Sequence, residues 1–200
     1  MHINDAVELD RRAVEETIRI VRGWDGTDAE RPTPCAGWTL TDLLAHCTVQ
    51  QRGFARAARG ERTTLADWAP VPASEPLDAY EDASKEVLAA FAALADPDAP
   101  FHLPELRQEP VPARLAVGFH LVDNVVHAWD LAVSVGTEAR FDQDVLQAAL
   151  GIARAVPDDE QRDRPGAAFG HARAVPERAD AFTETLLLLG RDPSWRPGRP

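Results

Sequence analysis

Three polar residues in this sequence have the types and spacing to hold a metal ion. Asp123 and His127 are four residues apart in HLVDNVVHAWDLAVSVG, and on a helix that spacing puts both side chains on one face, one turn apart. A third donor must come from elsewhere. His46, in LLAHCTVQ, is the candidate, because it flanks the apolar face defined by Leu40, Leu43 and Leu44. Two imidazoles and one carboxylate are the ligand set of an open zinc site, in which water or substrate takes the remaining position. Such ligands leave a divalent ion with a residual charge of about +1, which lowers the pKa of a bound water or thiol. The same set around Fe(II) is a facial triad, so the residues alone do not settle the metal. Each piece also has a plainer reading: His46 as a core-edge residue, and Asp123 with His127 as a hydrogen-bonded pair.

Neighbouring residues sort around this trio. His120, one turn before Asp123, is expected to be structural. Asp130 either orients a ligand histidine through its free ring nitrogen or faces solvent. Cys47 follows His46 directly and points about 100° away, so it is not counted as a ligand. Cys35 lies in a loop with no base or helix start beside it in sequence to activate it. Arg191, in LGRDPSW, reads as an Arg–Asp pair at a helix end, with contact to an anionic substrate as the alternative. The chain has no Walker loop, no GxGxxG and no GxSxG.

The elements that must position these groups are helices, because the apolar pattern has helical period and no segment sustains the alternation of a half-buried strand. The fold class is all-α: four long helices and two shorter ones. Helix one is expected over about 5–24, stopping at Gly26, and helix two over about 39–59, opened by a Thr39/Asp42 capping box with Trp38 and Leu43 as a hydrophobic staple. Helix three spans roughly 77–95 and helix four 113–135, stopped by Gly136. Helices five and six span about 142–156 and 176–189. In helix four Leu115, Phe119, Val122, Val126, Trp129 and Val133 form an apolar stripe, and Ala116, His120, Asp123, His127 and Asp130 form a second one about 100° away. Pro-rich stretches around 60–76 and 97–112 are irregular connections. An antiparallel bundle with long crossovers builds sites from side chains on facing helices.

Composition narrows the function. Two hundred residues, 44% hydrophobic, suit one domain, here 1–200 with a C-terminal extension from about 157. A net charge of −12 argues against nucleic acid. The N-terminal residues carry acidic groups and no apolar run, and no stretch approaches the roughly 20 apolar residues of a membrane span, so a cytoplasmic protein is expected. Cys35 and Cys47, the two cysteines, are expected to be free thiols of a reducing compartment.

In order along the chain, PTPCAGWTLTDLLAHCT, HLVDNVVHAWDLAVSVG and LLLLGRDPSW resemble the DinB/YfiT-like superfamily, and more narrowly the metal-binding branch related to the N-terminal domain of mycothiol-dependent maleylpyruvate isomerases. The resemblance covers nearly the whole chain. It implies a four-helix bundle with additional short helices and a divalent metal, zinc first with nickel or iron as alternatives, held by His46, Asp123 and His127. It also implies a low-molecular-weight thiol cofactor of the mycothiol type and a small electrophile as substrate, handled by a transferase or isomerase. The related isomerases carry Glu at the position of Asp123, so the carboxylate here is one methylene shorter. The length also leaves no room for the isomerases' separate C-terminal domain. Two readings compete with the thiol enzyme: a non-catalytic protein whose metal ties helix two to helix four, and, ranked last, metal-dependent hydrolysis. Either a monomer or a homodimer is compatible with the sequence.

Overall fold

The computed structural model describes residues 2–164 and 167–198, with Met1, Pro165, Gly166 and the last two residues outside it. Among the described residues are six α-helices: α1 (Ile3–Gly23), α2 (Leu40–Ala58), α3 (Pro76–Ala92), α4 (Ala113–Val135), α5 (Gln143–Ala153) and α6 (Ala181–Leu188). The four-helix bundle with two shorter helices expected from the sequence is the observed fold.

Local chemistry sets the boundaries. The Thr39 hydroxyl accepts from Asp42 N–H while the Asp42 carboxylate accepts from Thr39 N–H, so the capping box opens α2 as expected. Gly136, at φ +77°, takes the left-handed conformation that ends α4. Two starts differ from expectation. The His2 side chain caps α1 by accepting from Asn4 N–H, so the helix begins at Ile3 rather than Asp5. Helix α6 begins at Ala181 because the Asp180 carboxylate captures Thr183 N–H, whereas Pro176 opens only a preceding turn.

Helix α2 packs along α3, α1 along α4, and the pairs meet through α1 with α3 and α2 with α4. Helices α5 and α6 pack on each other, and α5 also contacts α1 and α4; Leu9, Ala13, Leu121, Val125, Val145, Ala149 and Leu189 form the shared apolar cluster. The Pro-rich stretch before α4 is less irregular than expected. Pro100–Phe101 (β1) pairs antiparallel with Val111–Pro112 (β2), and buried Phe101, Leu103 and Val111 anchor the loop between them.

Helix α4 is the centre of the molecule, buried on nearly every side, and this corrects the stripe expected from its pattern. Leu115 is 47% exposed and Phe119 and Val133 are partly so, while Ala116, Val117, His120, Leu121, Val125, Ala128 and Ala132 are fully buried. The supposed second stripe therefore faces inward. Within it His120 joins a polar network that all four long helices share. Its Nδ1 lies 2.7 Å from Asp10 Oδ1 on α1 and its Nε2 2.8 Å from Gln51 Oε1 on α2. Gln51 Nε2 in turn donates to Asn124 Oδ1 on α4 (2.8 Å) and Tyr80 Oη on α3 (3.3 Å). Buried polar groups that satisfy one another in this way fix helix register, because sliding any helix leaves a donor or acceptor unpaired.

Helix α2 packs tightly on the following connection at Gly53, where a Cβ would lie 2.6 Å from the Trp68 ring. Trp68 is buried, packs edge-on to Phe54 and donates Nε1–H to Thr63 Oγ1 at 2.7 Å. Gly53→Ala should therefore destabilise the fold by about 1–3 kcal/mol through overpacking, seen as a lower urea midpoint at unchanged m-value. A midpoint equal to the wild type would mean that the ring yields freely.

Candidate metal centre

The structure brings the three sequence-selected residues together. His46 from α2 and Asp123 and His127 from α4 each present one donor atom, and the three atoms lie within 4.8 Å of one another. His127 Nε2 is 3.4 Å from Asp123 Oδ1. Tetrahedral bonds of about 2 Å separate adjacent ligand atoms by roughly 3.3 Å, so small side-chain adjustments close the set around one ion. The His46 and His127 rings meet edge to face at 5.0 Å, and the Trp38 ring packs on His46 in a tilted arrangement at 4.9 Å. The Asp123 side chain is 23% exposed and His46 is also partly exposed, while that of His127 is only 6%, so the site meets solvent past Asp123 and His46.

Behind the trio stands a second layer that fixes His127. Its Nδ1–H donates to Asp130 Oδ2 at 2.9 Å, which leaves Nε2 as the nitrogen turned toward Asp123. Asp130 is fully buried, so the reading in which it orients the histidine holds and the solvent-facing one does not. Its charge is balanced by Arg191, whose Nη2 donates to the same Oδ2 at 2.9 Å. Arg191 thus pairs with a buried carboxylate distant in the chain, Asp130 on α4, whereas Asp192 beside it in sequence pairs with Arg173. The Cys35 thiol also donates to Asp130 Oδ2 at 3.3 Å, and Arg191 Nη2 reaches Cys35 Sγ at 3.5 Å.

Cys35 therefore corrects the sequence reading. Its neighbours in sequence give it no chemical partner, but a carboxylate and a guanidinium distant in the chain do. Cys35, His127 and Asp130 also form a compact donor group. There, however, the Arg191 guanidinium occupies the place of a cation on Asp130, so this layer is an ion-pair network. Cys47 is buried, and burial pushes its thiol up to about 12; it belongs to neither donor group.

The segment that carries Arg191 is held by backbone chemistry. Arg162 donates to the carbonyls of Val156, Pro157, Gly170 and Leu188. Gly190, at φ +82°, lies so close to the Gly170 backbone that a Cβ would meet it at 2.7 Å. No side chain fits there, and the contact aims Arg191 at α4.

Protonation divides the two histidines. Burial, aided by the positive field of His127, pushes His46 down to about 4, so its ring is neutral with a lone pair to offer. Burial also disfavours a charged His127, but the Asp123 carboxylate outweighs it, helped by the hydrogen bonds to Asp123 and Asp130, and holds His127 well above the ordinary histidine range. For Asp123, burial works upward while His127 pulls it down to about 2. Asp130 is likewise held low against its burial, chiefly by Arg191.

A cation at this trio must displace the His127 proton, whereas His46 has none to lose near neutrality. Zinc affinity should therefore rise about tenfold per pH unit below the His127 pKa, with close to one proton released per ion in calorimetry; an affinity flat from mildly acidic to neutral pH would contradict this. Asp130→Asn should weaken zinc binding by about 10–100-fold in a competing-chelator titration, with the helical circular dichroism retained.

The profile of the family described as mycothiol maleylpyruvate isomerase N-terminal domain matches residues 11–132. Two uncharacterised proteins of Mycobacterium tuberculosis, from strains CDC 1551 / Oshkosh and ATCC 25618 / H37Rv, are each 28% identical over 166 residues, 80% of this chain and 83% of theirs. The crystal structure of the mycothiol-dependent maleylpyruvate isomerase superposes with a TM-score of 0.61 at 17% identity, over 78% of this chain and 69% of that one. A histidine-to-alanine variant of that enzyme gives 0.63 at 16% over the same shares. At such identity the structural likeness is one of fold. No helix among the described residues is long and apolar enough to cross a membrane. The profile spans more than half of the residues and includes His46, Asp123 and His127, and the chain belongs to the mycothiol maleylpyruvate isomerase N-terminal domain family.

Proposed function

We propose that this chain is a metal-dependent enzyme that uses a low-molecular-weight thiol against a small electrophile, by S-transfer or by cis–trans isomerisation through a thiol adduct. The observation that carries the reading is the convergence of His46, Asp123 and His127 with one side open to solvent. Membership of a family described by mycothiol-dependent isomerisation supports the thiol as co-reactant. The donor set fits zinc first, with nickel or iron as alternatives. Such an ion supplies Lewis acidity that favours the ionised form of a thiol held beside it.

The chain's own residues prepare that chemistry. His46 is neutral and ready to ligate, and Asp130 holds His127 in the tautomer that presents Nε2. Trp38 shields the His46 edge from water, and the partly exposed Asp123 borders the entrance. The bundle and its C-terminal extension act as one domain in this reading, because Arg191 from the extension completes the support of His127. The donors sit on α2 and α4, so the same ion also ties two helices together, which is what a purely structural metal would do.

Zinc-loaded protein should catalyse conjugation of a small thiol to an activated alkene, and His46→Ala should lower the rate by at least about 100-fold while retaining helical content. Activity indifferent to this substitution and to chelation would dismiss the enzyme reading. A fall in melting temperature on chelation without any turnover would favour the structural tie.

A further inference from the structure

The loop between β1 and β2 ties a carboxylate to the face of α2 that carries His46. Buried Phe101 and Leu103 anchor the loop, and the backbone N–H groups of Leu106 and Arg107 both donate to the Leu103 carbonyl, turning the chain at Glu105. The Arg107 guanidinium folds back onto the carbonyls of Glu109 and Pro110, so it is directed within its own loop. Glu105 Oε2 instead accepts from Gln50 Nε2 at 2.7 Å. Gln50 is 7% exposed and lies four residues after His46, on the same face of α2 one turn further along. Glu105 is thus held at the surface through a residue one helical turn from His46, with Oε1 left without a hydrogen bond among the described residues.

Its electrostatic setting differs from that of the other carboxylates in the site. Asp123 faces His127, and Asp130 faces His127 and Arg191, whereas no Lys or Arg among the described residues pairs with Glu105. The residue is exposed as a whole, but partial desolvation of its carboxyl, and secondarily the negative field of Asp123, raise its pKa above the ordinary glutamate value, with the Gln50 amide opposing. Glu105 also stands outside the donor group of His46, Asp123 and His127. A solvent-accessible carboxylate fixed to the His46-bearing face of α2, outside the donor group and not neutralised by a cation, is suited to proton transfer.

We propose that Glu105 is the proton acceptor of this site, taking the S–H proton of the thiol co-reactant and returning it at the end of the turnover. The assignment rests on the thiol-using reading above. The S–H bond breaks with its electron pair left on sulfur and the proton carried to Glu105 Oε1. Sulfur then bonds to the electrophilic carbon of an alkene conjugated to a carbonyl, and the π pair moves onto the carbonyl oxygen as an enolate. In S-transfer, Glu105 gives its proton to the enolate carbon. In isomerisation, the former double bond rotates, the enolate expels the sulfur with its electron pair, and Glu105 reprotonates it. Atoms, charge and electrons balance in both routes without an added oxidant or reductant.

The test uses the zinc-loaded full chain and its Glu105→Gln variant, with N-acetylcysteine as the probe thiol. Calorimetric titration near neutral pH in two buffers of different ionisation enthalpy counts the protons that reach solvent. The wild type should keep the thiol proton, with release near zero, and the variant should release about one proton per thiol bound. With an activated alkene, the variant should lose about 100-fold or more in kcat at little-changed KM and unchanged zinc content. Gln50→Leu, which removes the amide that aims the carboxylate, should show a smaller loss in kcat of the same kind. If Glu105→Gln keeps both the wild-type proton count and kcat, Glu105 is not the acceptor and the thiol reading stands. If the wild type binds no thiol, the thiol reading fails and the assignment with it.

Discussion

Helix α4 has to carry His120, Asp123, His127 and Asp130 through the middle of the protein, and much of the structure follows from that constraint. Ionised groups taken out of water cost several kcal/mol each unless charge and hydrogen bonding offset the loss, and removing one partner of a buried pair typically costs about 3–5 kcal/mol. Every one of the four has a partner. Asp10 on α1 and Gln51 on α2 serve His120, His127 serves Asp123, and Arg191 with Cys35 serves Asp130. The helices and loops that surround α4 are thus bound to it by compensation as well as by apolar contact.

Two polar clusters of similar composition sit on this helix, and accessibility separates their roles. The one around His120 is sealed by Phe54 and Phe91, with Asp10 and His120 both at 0% exposure. Burial raises the Asp10 carboxyl, and its Oδ2 has no hydrogen-bond partner among the described residues. That cluster aligns helices. One turn further along, Asp123 reaches the surface and the same kinds of side chain become available to a ligand. Asn124, which bonds the sealed cluster and is the residue after Asp123, ties the register of one to the other.

Much of this was legible in the sequence where a local rule applied. The Thr39/Asp42 box and Gly136 marked the ends of α2 and α4 because capping is decided within one turn. The i,i+4 spacing of Asp123 and His127 revealed a shared face for the same reason. The loop-borne residues were not legible. Cys35 and Arg191 reach Asp130 through turns whose course no periodicity encodes, and the residues next to each in sequence do not disclose that partner. The stripe assigned to α4 went astray for the opposite reason: a helix covered on nearly all sides is apolar in several directions, and its pattern does not choose among them. Leu115 was placed inside on that basis and lies half outside.

The route by which Arg191 arrives has a wider meaning. Its position depends on Arg162 gathering four carbonyls and on two glycine backbones in contact, at the periphery and beyond the stretch that the family profile matches. Through Asp130, that guanidinium governs how much negative charge the inner face of the His127 ring experiences. The electron-donating power of the ring is therefore adjustable from the outer edge of the molecule. A change at that outer edge would alter the basicity of His127 while leaving His46, Asp123 and His127 themselves untouched.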